Sequence, residues 1–405
     1  MNLLHRWVVD LNPQVIVVSL MTLVIMMGSS VISPVLPLIA QDFGVSYAGA
    51  GALISAFALG RIPFDFIGGV LIDRLSPRWI AAGGAAVVAV SAWLSAVVQD
   101  FHTLLLFRFI GGAGSALFTI TAMACLARTV TPQRMGQAMS FYQSMLLIGV
   151  SFGPSVGGVA ASVFHNLRAP FWAMAVLSLA VAVMSYRWVG EFSPIAKPPY
   201  AGKTATEAPS LLRQLRGDFT FVFICGVTLL LFGIRSGVTL NLMPLFAQET
   251  LGLGESGIGL AQSFCSLANF CVLWHAGRLL DHAGRRRALL GSLWASALAV
   301  LCLPLATTFW LLVLAMILFG AAIGYVGPAP AAVIADLTPP GAAGRVMGVY
   351  RGAGDTGLLL GPITVGWAAS HLGFQAAFIA VAACTALVAL IGIGMRETLD
   401  VKRDA

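Results

Sequence analysis

Apolar runs separated by short polar, glycine- or proline-bearing breaks cover the chain from Val15 to Met395. Crossing a hydrocarbon core takes roughly 20 apolar residues in a helix, and the runs reach that length. Read against the breaks, the pattern predicts about twelve helices. They fall near 15–39, 47–71, 79–99, 103–127, 137–163 and 169–190, then near 219–247, 257–280, 288–306, 309–335, 345–370 and 373–395. Between the two sets lies the longest polar stretch, residues 191–217, with Pro194, Pro198, Pro199 and Pro209. Such a stretch cannot bury a core and is expected to be a linker between halves 1–190 and 218–405.

Composition agrees with the pattern. Of 405 residues 59% are hydrophobic and only 10% charged, with mean hydropathy +0.91. Soluble proteins carry about 25% charged residues, so the class is an all-α integral membrane protein. The net charge of +7 is a matter of topology. Basic residues occupy every second loop: Arg74 and Arg78, Arg128 and Arg134, Lys197 to Arg216, Arg285 to Arg287, Arg345, and Arg396 to Arg403. The alternate loops hold Asp42, Asp100, His102, Glu249, Glu255 and His371, with Arg168 the exception. By the positive-inside rule both termini and the linker are expected in the cytoplasm of a bacterial or archaeal plasma (inner) membrane. No nucleic-acid partner is implied. The six cysteines all lie in apolar runs without zinc-ligand spacing, so no metal or other cofactor is expected. The first residues lack a short apolar core with a small-residue cleavage site, and no removable signal peptide is expected.

The two sets of helices repeat each other. Gly69 and Asp73 recur 208 positions on as Gly277 and Asp281. The same shift carries Gly112 to Gly320, Tyr142 to Tyr350, and Gly149, Gly153 and Pro154 to Gly357, Gly361 and Pro362. In the first helices it slips by one, so that Pro37, Gln41 and Asp42 meet Pro244, Gln248 and Glu249. Six helices per half in one orientation imply a pseudo-two-fold along the membrane normal, with a binding site between the halves near mid-membrane.

These residues resemble the major facilitator superfamily over nearly the whole chain. Its loop signature appears as Gly69-Val-Leu-Ile-Asp73-Arg74-Leu-Ser-Pro-Arg78 and again as Gly277-Arg-Leu-Leu-Asp281-His-Ala-Gly-Arg285. The fourth span carries Arg108 followed by Gly111, Gly112 and Gly114, similar to the family's arginine-plus-glycines motif. The fifth carries Gly149-Val-Ser-Phe-Gly153-Pro154-Ser-Val-Gly157-Gly158, which looks like the motif of the drug:proton antiporter branch, with a partial copy at Gly357 to Gly366. The resemblance implies a major-facilitator fold and a secondary active transporter, not an enzyme. Small residues four apart also serve plain helix packing in lipid. The glycines after Arg108 are no dinucleotide fingerprint, because Leu117 stands in the third glycine's place and no strand precedes them.

Ionisable groups at membrane depth are costly and mark candidate functional sites, although they also fix helix register. Arg61, Asp65, Arg108, Arg235, Arg351 and Asp355 fall within spans. Arg61 with Asp65 and Arg351 with Asp355 each stand at i,i+4 on one helical face. In the family resembled, these two spans are neighbours across the halves. Matched depths then suggest reciprocal pairs, Asp65 with Arg351 and Arg61 with Asp355, as a cytoplasmic latch loosened by protonation. The alternative is that each arginine pairs on its own helix. Arg108 matches the family's fourth-span arginine, whose role there is linked to proton coupling. Arg235 lacks such a precedent; the two arginines could bind an anionic or carboxylate-bearing substrate, or bond to backbone carbonyls or to polar neighbours such as Asn241 or Asn269. Tyr142, Gln143, Tyr325 and Met26 could line an amphipathic pocket, though such residues are more often core or lipid-facing. The first span offers no acid, only Ser19, Thr22, Ser29, Ser30 and Ser33, which moves proton coupling to Asp65 or Asp355.

The reading is a monomeric, proton-coupled exporter of small amphipathic or anionic organic molecules; a symporter or uniporter for such molecules is the alternative. An intramembrane serine enzyme built on Gly254-Glu-Ser256-Gly257 lacks a membrane histidine placed as its base. A non-transporting sensor would be expected to add a large cytoplasmic domain. If Asp65 and Arg351 pair, a double-mutant cycle of D65N and R351Q on transport gives a coupling energy of about 0.5–3 kcal/mol. Additive losses exclude the pair.

Overall fold

The computed structural model describes residues 12–72, 75–130, 135–190, 218–338 and 343–398. The ordered elements are helical, in the sequence α1 (Pro13–Val31), α2 (Leu36–Asp42), α3 (Tyr47–Ile72), α4 (Pro77–Val97), α5 (Phe101–Thr129), α6 (Met135–Val163) and α7 (Ala169–Trp188). They continue with α8 (Phe219–Ile234), a π-helical segment at Arg235–Leu242, α9 (Met243–Leu251), α10 (Glu255–Ala283), α11 (Arg285–Cys302), α12 (Phe309–Val326), α13 (Pro328–Leu337) and α14 (Ala343–Ile391).

Among the described residues eleven helical stretches are long and apolar enough to cross a membrane. The last, Val349–Gly394, has 46 residues and would rise about 69 Å, more than twice the roughly 30 Å hydrocarbon thickness. Gly373, at φ 81, breaks it into two spans, which completes twelve. Two expected helices are subdivided. The first turns at Ile32–Val35 before Pro37, and the tenth at Gly327 before Pro328 and Pro330. Proline disfavours helix at the residue before it and donates no N–H, so both breaks sit where the chain loses a rung. The seventh stays continuous by passing through the π-helical turn.

The chain forms two compact units. The first holds Met1–Phe43, Ala56–Ile195 and Gly254–Ser263; the second holds Gly44–Ser55, Ala196–Leu253 and Phe264–Ala405. The division therefore runs inside α3 and inside α10.

Within the first unit α1 packs on α6 and α7, and α4 on α5 and α7. Its core joins Met21, Ile25, Ala85, Phe118, Tyr142 and Val181. The α1–α6 contact is made backbone to backbone. A Cβ at Gly149 would overlap the Leu23 carbonyl, one at Gly153 would strike Met27 O and Ser30, and one at Gly157 would overlap Val31 O. Ser30 Oγ, satisfied by Met26 O at 2.9 Å, also reaches Gly149 O at 3.3 Å. The start of α10 lies against the same helix: Gly158 meets Glu255 O, Gly259 meets Pro154 O, and Ser263 Oγ accepts from Ser155 N at 3.0 Å. Buried Ser33 donates to Gln262 at 2.7 Å.

The second unit repeats the plan. Gly357 meets Leu229 O and Gly361 meets Gly233 O, seating the first half of α14 on α8. Gly51, at the start of α3, meets Pro362 O, and Gly366 meets Tyr47 O. The outward faces are apolar, as a lipid solvent requires: Val176 is 66% exposed and Leu298 62%.

Arg168 has a local explanation for its place among acidic loops. Its guanidinium donates to the Ala96 carbonyl at 3.3 Å and to that of Val98, closing the end of α4, and lies 5.9 Å from the Phe43 ring.

The glycine seam predicts a sharp contrast. Gly157→Ala lowers stability by about 1–3 kcal/mol through overpacking. Gly83→Ala, with nothing within 4 Å of the new methyl, is neutral or stabilising by up to about 1 kcal/mol. Thermal melts of the purified variants measure both, and equal melting temperatures would contradict the seam.

Candidate functional site

The charged residues expected within spans all lie on helices, in different surroundings. On α3, Arg61 and Asp65 are half-buried, and Arg61 Nη1 donates to Ser115 Oγ on α5 at 2.8 Å. Arg108 on α5 is 7% exposed, with its guanidinium 4.6 Å from the Phe57 ring centroid. It sits beside the tightest α3–α5 approach, where Gly60 meets Phe109 O and Gly112 meets Phe57 O. A desolvated guanidinium on an aromatic face gains a cation–π contact of about 2 kcal/mol, which a neutral residue cannot replace. The 208-residue counterpart is buried Met316, where Gly320 meets Cys265 O in the same way. The packing is thus repeated and the charge is not. In the second unit Arg351 is exposed and Asp355 half-buried, both on α14.

Arg235 opens the π-helical segment and is half-buried, beside the Cys265 thiol of α10. Asn241 is the next-to-last residue of that segment. Fully buried, it donates through Nδ2 to Pro362 O at 2.9 Å and Tyr47 O at 3.2 Å, tying α14 and the start of α3 to the π turn. Tyr142 is 2% exposed and belongs to the core of the first unit. Gln143 is exposed, and Met26 and Asn269 are half-buried. The Asn269 carbonyl would lie 2.8 Å from a Cβ at Gly324, so that backbone serves close packing. Tyr325 Oη and His275 Nδ1 are 2.8 Å apart with their rings edge to face, an α10–α12 pair the sequence did not single out.

Of the loop signature, Asp73 and Arg74 lie outside the described residues, as do the side chain of Asp281 and the linker 191–217. Gly69 and Gly277 are on α3 and α10. Arg78 rests 4.4 Å from the Tyr186 ring. In the second copy the pattern closes into a network. Gly284, at φ 89, turns the chain into α11, and the Glu397 carboxylate accepts from Arg285 N at 2.8 Å and Arg286 N at 3.1 Å. A carboxylate on these otherwise unsatisfied amides caps the helix. Arg285 Nε pairs with Asp336 at 3.2 Å, and Thr398 donates to the same carboxylate at 3.3 Å. Arg396 pairs with Asp218, which caps α8 by accepting from Thr220 N at 2.9 Å. Asp336 and Glu397 were missed from sequence. The repeat hides Asp336, because its counterpart is Arg128, and Glu397 lies beyond the last repeated motif. Pro154 and Pro362 stand in the seams described above.

The sequence profile of the Major Facilitator Superfamily matches residues 18–274 and, overlapping them, 227–403. The chain is 29% identical over 175 residues to the quinolone resistance protein NorA of Staphylococcus aureus (strain MRSA252), which covers 43% of this chain and 45% of that protein. It thus spans less than half the length of that curated relative. It is 24% identical over 374 residues, 91% of this chain and 92% of the relative, to the uncharacterised MFS-type transporter YceJ of Bacillus subtilis (strain 168). A crystal structure of a bacterial homologue of the human lysosomal transporter Spinster, inward-facing and occupied, superposes with a TM-score of 0.78 at 16% identity, covering 95% of this chain and 97% of that one.

The Arg108 surroundings predict that R108M, the other half's residue, leaves a folded protein and lowers transport about tenfold or more, the scale of losing bonds to a charged group. Circular dichroism with uptake assays in vesicles checks it. Transport at the wild-type level would make Arg108 a packing residue.

Proposed function

The chain belongs to the Major Facilitator Superfamily, and we propose that this multi-pass membrane transporter exports small amphipathic or anionic organic molecules in exchange for protons. The observation that carries the reading is the α6 seam Gly149-Gly153-Pro154-Gly157, which looks like the antiporter-branch pattern, with a partial copy in α14. Likeness over 175 residues to a protein named for quinolone resistance supports the export reading. The moving bodies are the halves 1–190 and 218–405, joined by 191–217, working as a monomer with both ends in the cytoplasm of an inner membrane.

Proton coupling runs through Asp65 and Asp355, with Arg61, Arg351 and Arg108 as their charged surroundings. A carboxyl can alternate between charged and neutral forms, and each form favours a different helix arrangement when desolvation differs between them. The bend-permitting Gly-Pro sites in α6 and α14 give the hinge-like freedom such a cycle needs. A second reading, a symporter or uniporter for an organic anion, is favoured by the absence of an acid from the first span.

Proteoliposomes separate the two. A pH gradient drives wild-type transport against the substrate gradient, whereas D65N or D355N retains exchange and loses gradient dependence. Transport indifferent to the gradient in the wild type removes proton coupling from the reading.

A further inference from the structure

We propose that the π-helical turn at Arg235–Leu242 is a binding site for a single carboxylate group, with Arg235 as the anchor; this deepens the transport reading and rests on it.

The first support is a one-residue surplus. Gly149 and Gly357 are equivalent, and they seat on the carbonyls of Leu23 and Leu229; Gly153 and Gly361 likewise seat on Met27 and Gly233. Met27 precedes Pro37 by ten positions, but Gly233 precedes Pro244 by eleven. The second half therefore carries one extra residue between two fixed points, and the π segment lies in that interval. A π turn is the form an α-helix takes when it absorbs one added residue, and such turns gather at functional sites. The first half meets the same interval with an ordinary turn at Ile32–Val35. The first half spans the interval without the surplus, by breaking its helix.

The second support is the surplus donor capacity at the head of that turn. A guanidinium offers five N–H donors in a planar fork. Among the described residues, Arg235 finds only Cys265 as an electrostatic partner, and a thiol is a weak acceptor. That thiol is already engaged by Thr239. Ser236 and Val238 beside it are buried, yet Arg235 keeps partial access. The side chain is half-buried, and the backbone that carries it is fixed by Asn241.

The chemistry of the ligand follows. Among the described residues no second cation acts on Arg235, so it matches one negative charge, and a planar fork matches a planar, two-oxygen anion. The apolar span that carries Arg235 suits an apolar body attached to that carboxylate.

The test is binding by the purified full chain, read by thermal shift and equilibrium dialysis at fixed pH. The probes are 2-naphthoate and octanoate, each compared with its neutral amide. Either acid is expected to raise the melting temperature while its amide does not, and R235Q to weaken that binding about tenfold or more. C265A should change it little. Amides binding as well as acids, neither acid binding, or R235Q binding like the wild type would each overturn the site. If R235Q does not fold, R235K decides: a fork-read carboxylate binds it more weakly, and equal affinity overturns the proposal. Because binding is measured without a pH gradient, failure of proton coupling leaves this result standing, and failure here leaves the coupling reading intact.

Discussion

Contact of one helix backbone with another, at glycines four residues apart, is the constraint on which the rest of this structure depends. Lipid supplies little hydrophobic drive between helices, so close packing must do the work, and small residues permit it. In the first unit Gly149, Gly153 and Gly157 each receive a carbonyl of α1, and in the second Gly357 and Gly361 receive carbonyls of α8. A carbonyl resting on a glycine leaves no room for a methyl group, which fixes both the distance and the axial register of the pair. Pro154 and Pro362 present their own carbonyls to Gly259 and Gly51, so the same helix faces serve twice.

That register gives the charged groups their setting. Arg108 lies beside the approach of Gly112 to Phe57, and Arg235 follows two residues after the Gly233 contact. Each half thus offers a nearly repeated frame, and the charged side chains within the spans stand where the frame is not repeated. Met316 stands where Arg108 would recur, and Ser115, which receives Arg61, belongs to the first unit alone.

The ends of the helices follow ordinary capping chemistry turned to tertiary use. Asp100 accepts from Thr103 N at 2.8 Å, and that bond holds its carboxyl below the usual carboxylate range. Glu397 does for α11 what a residue beside the helix normally does, but from more than a hundred positions away. The C-terminal segment is thereby fastened to the start of α11, and through Arg396 to the start of α8.

The sequence by itself determined the membrane class, the twelve spans, the two repeated halves and the glycine seam. Hydropathy over twenty residues and a fixed spacing of small residues are properties of the chain read along its length. What only the tertiary structure decided is which partner each polar group meets. An i,i+4 spacing puts Arg61 and Asp65 on one face, but it says nothing of Ser115 on another helix. The clearest case is the seventh span: its hydropathy is smooth, and one residue too many is invisible in a smooth apolar run. The register of hydrogen bonds there depends on contacts at both ends, the Gly357 and Gly361 seats and the Asn241 clamp. Only with both ends fixed does the surplus have to appear as a π turn.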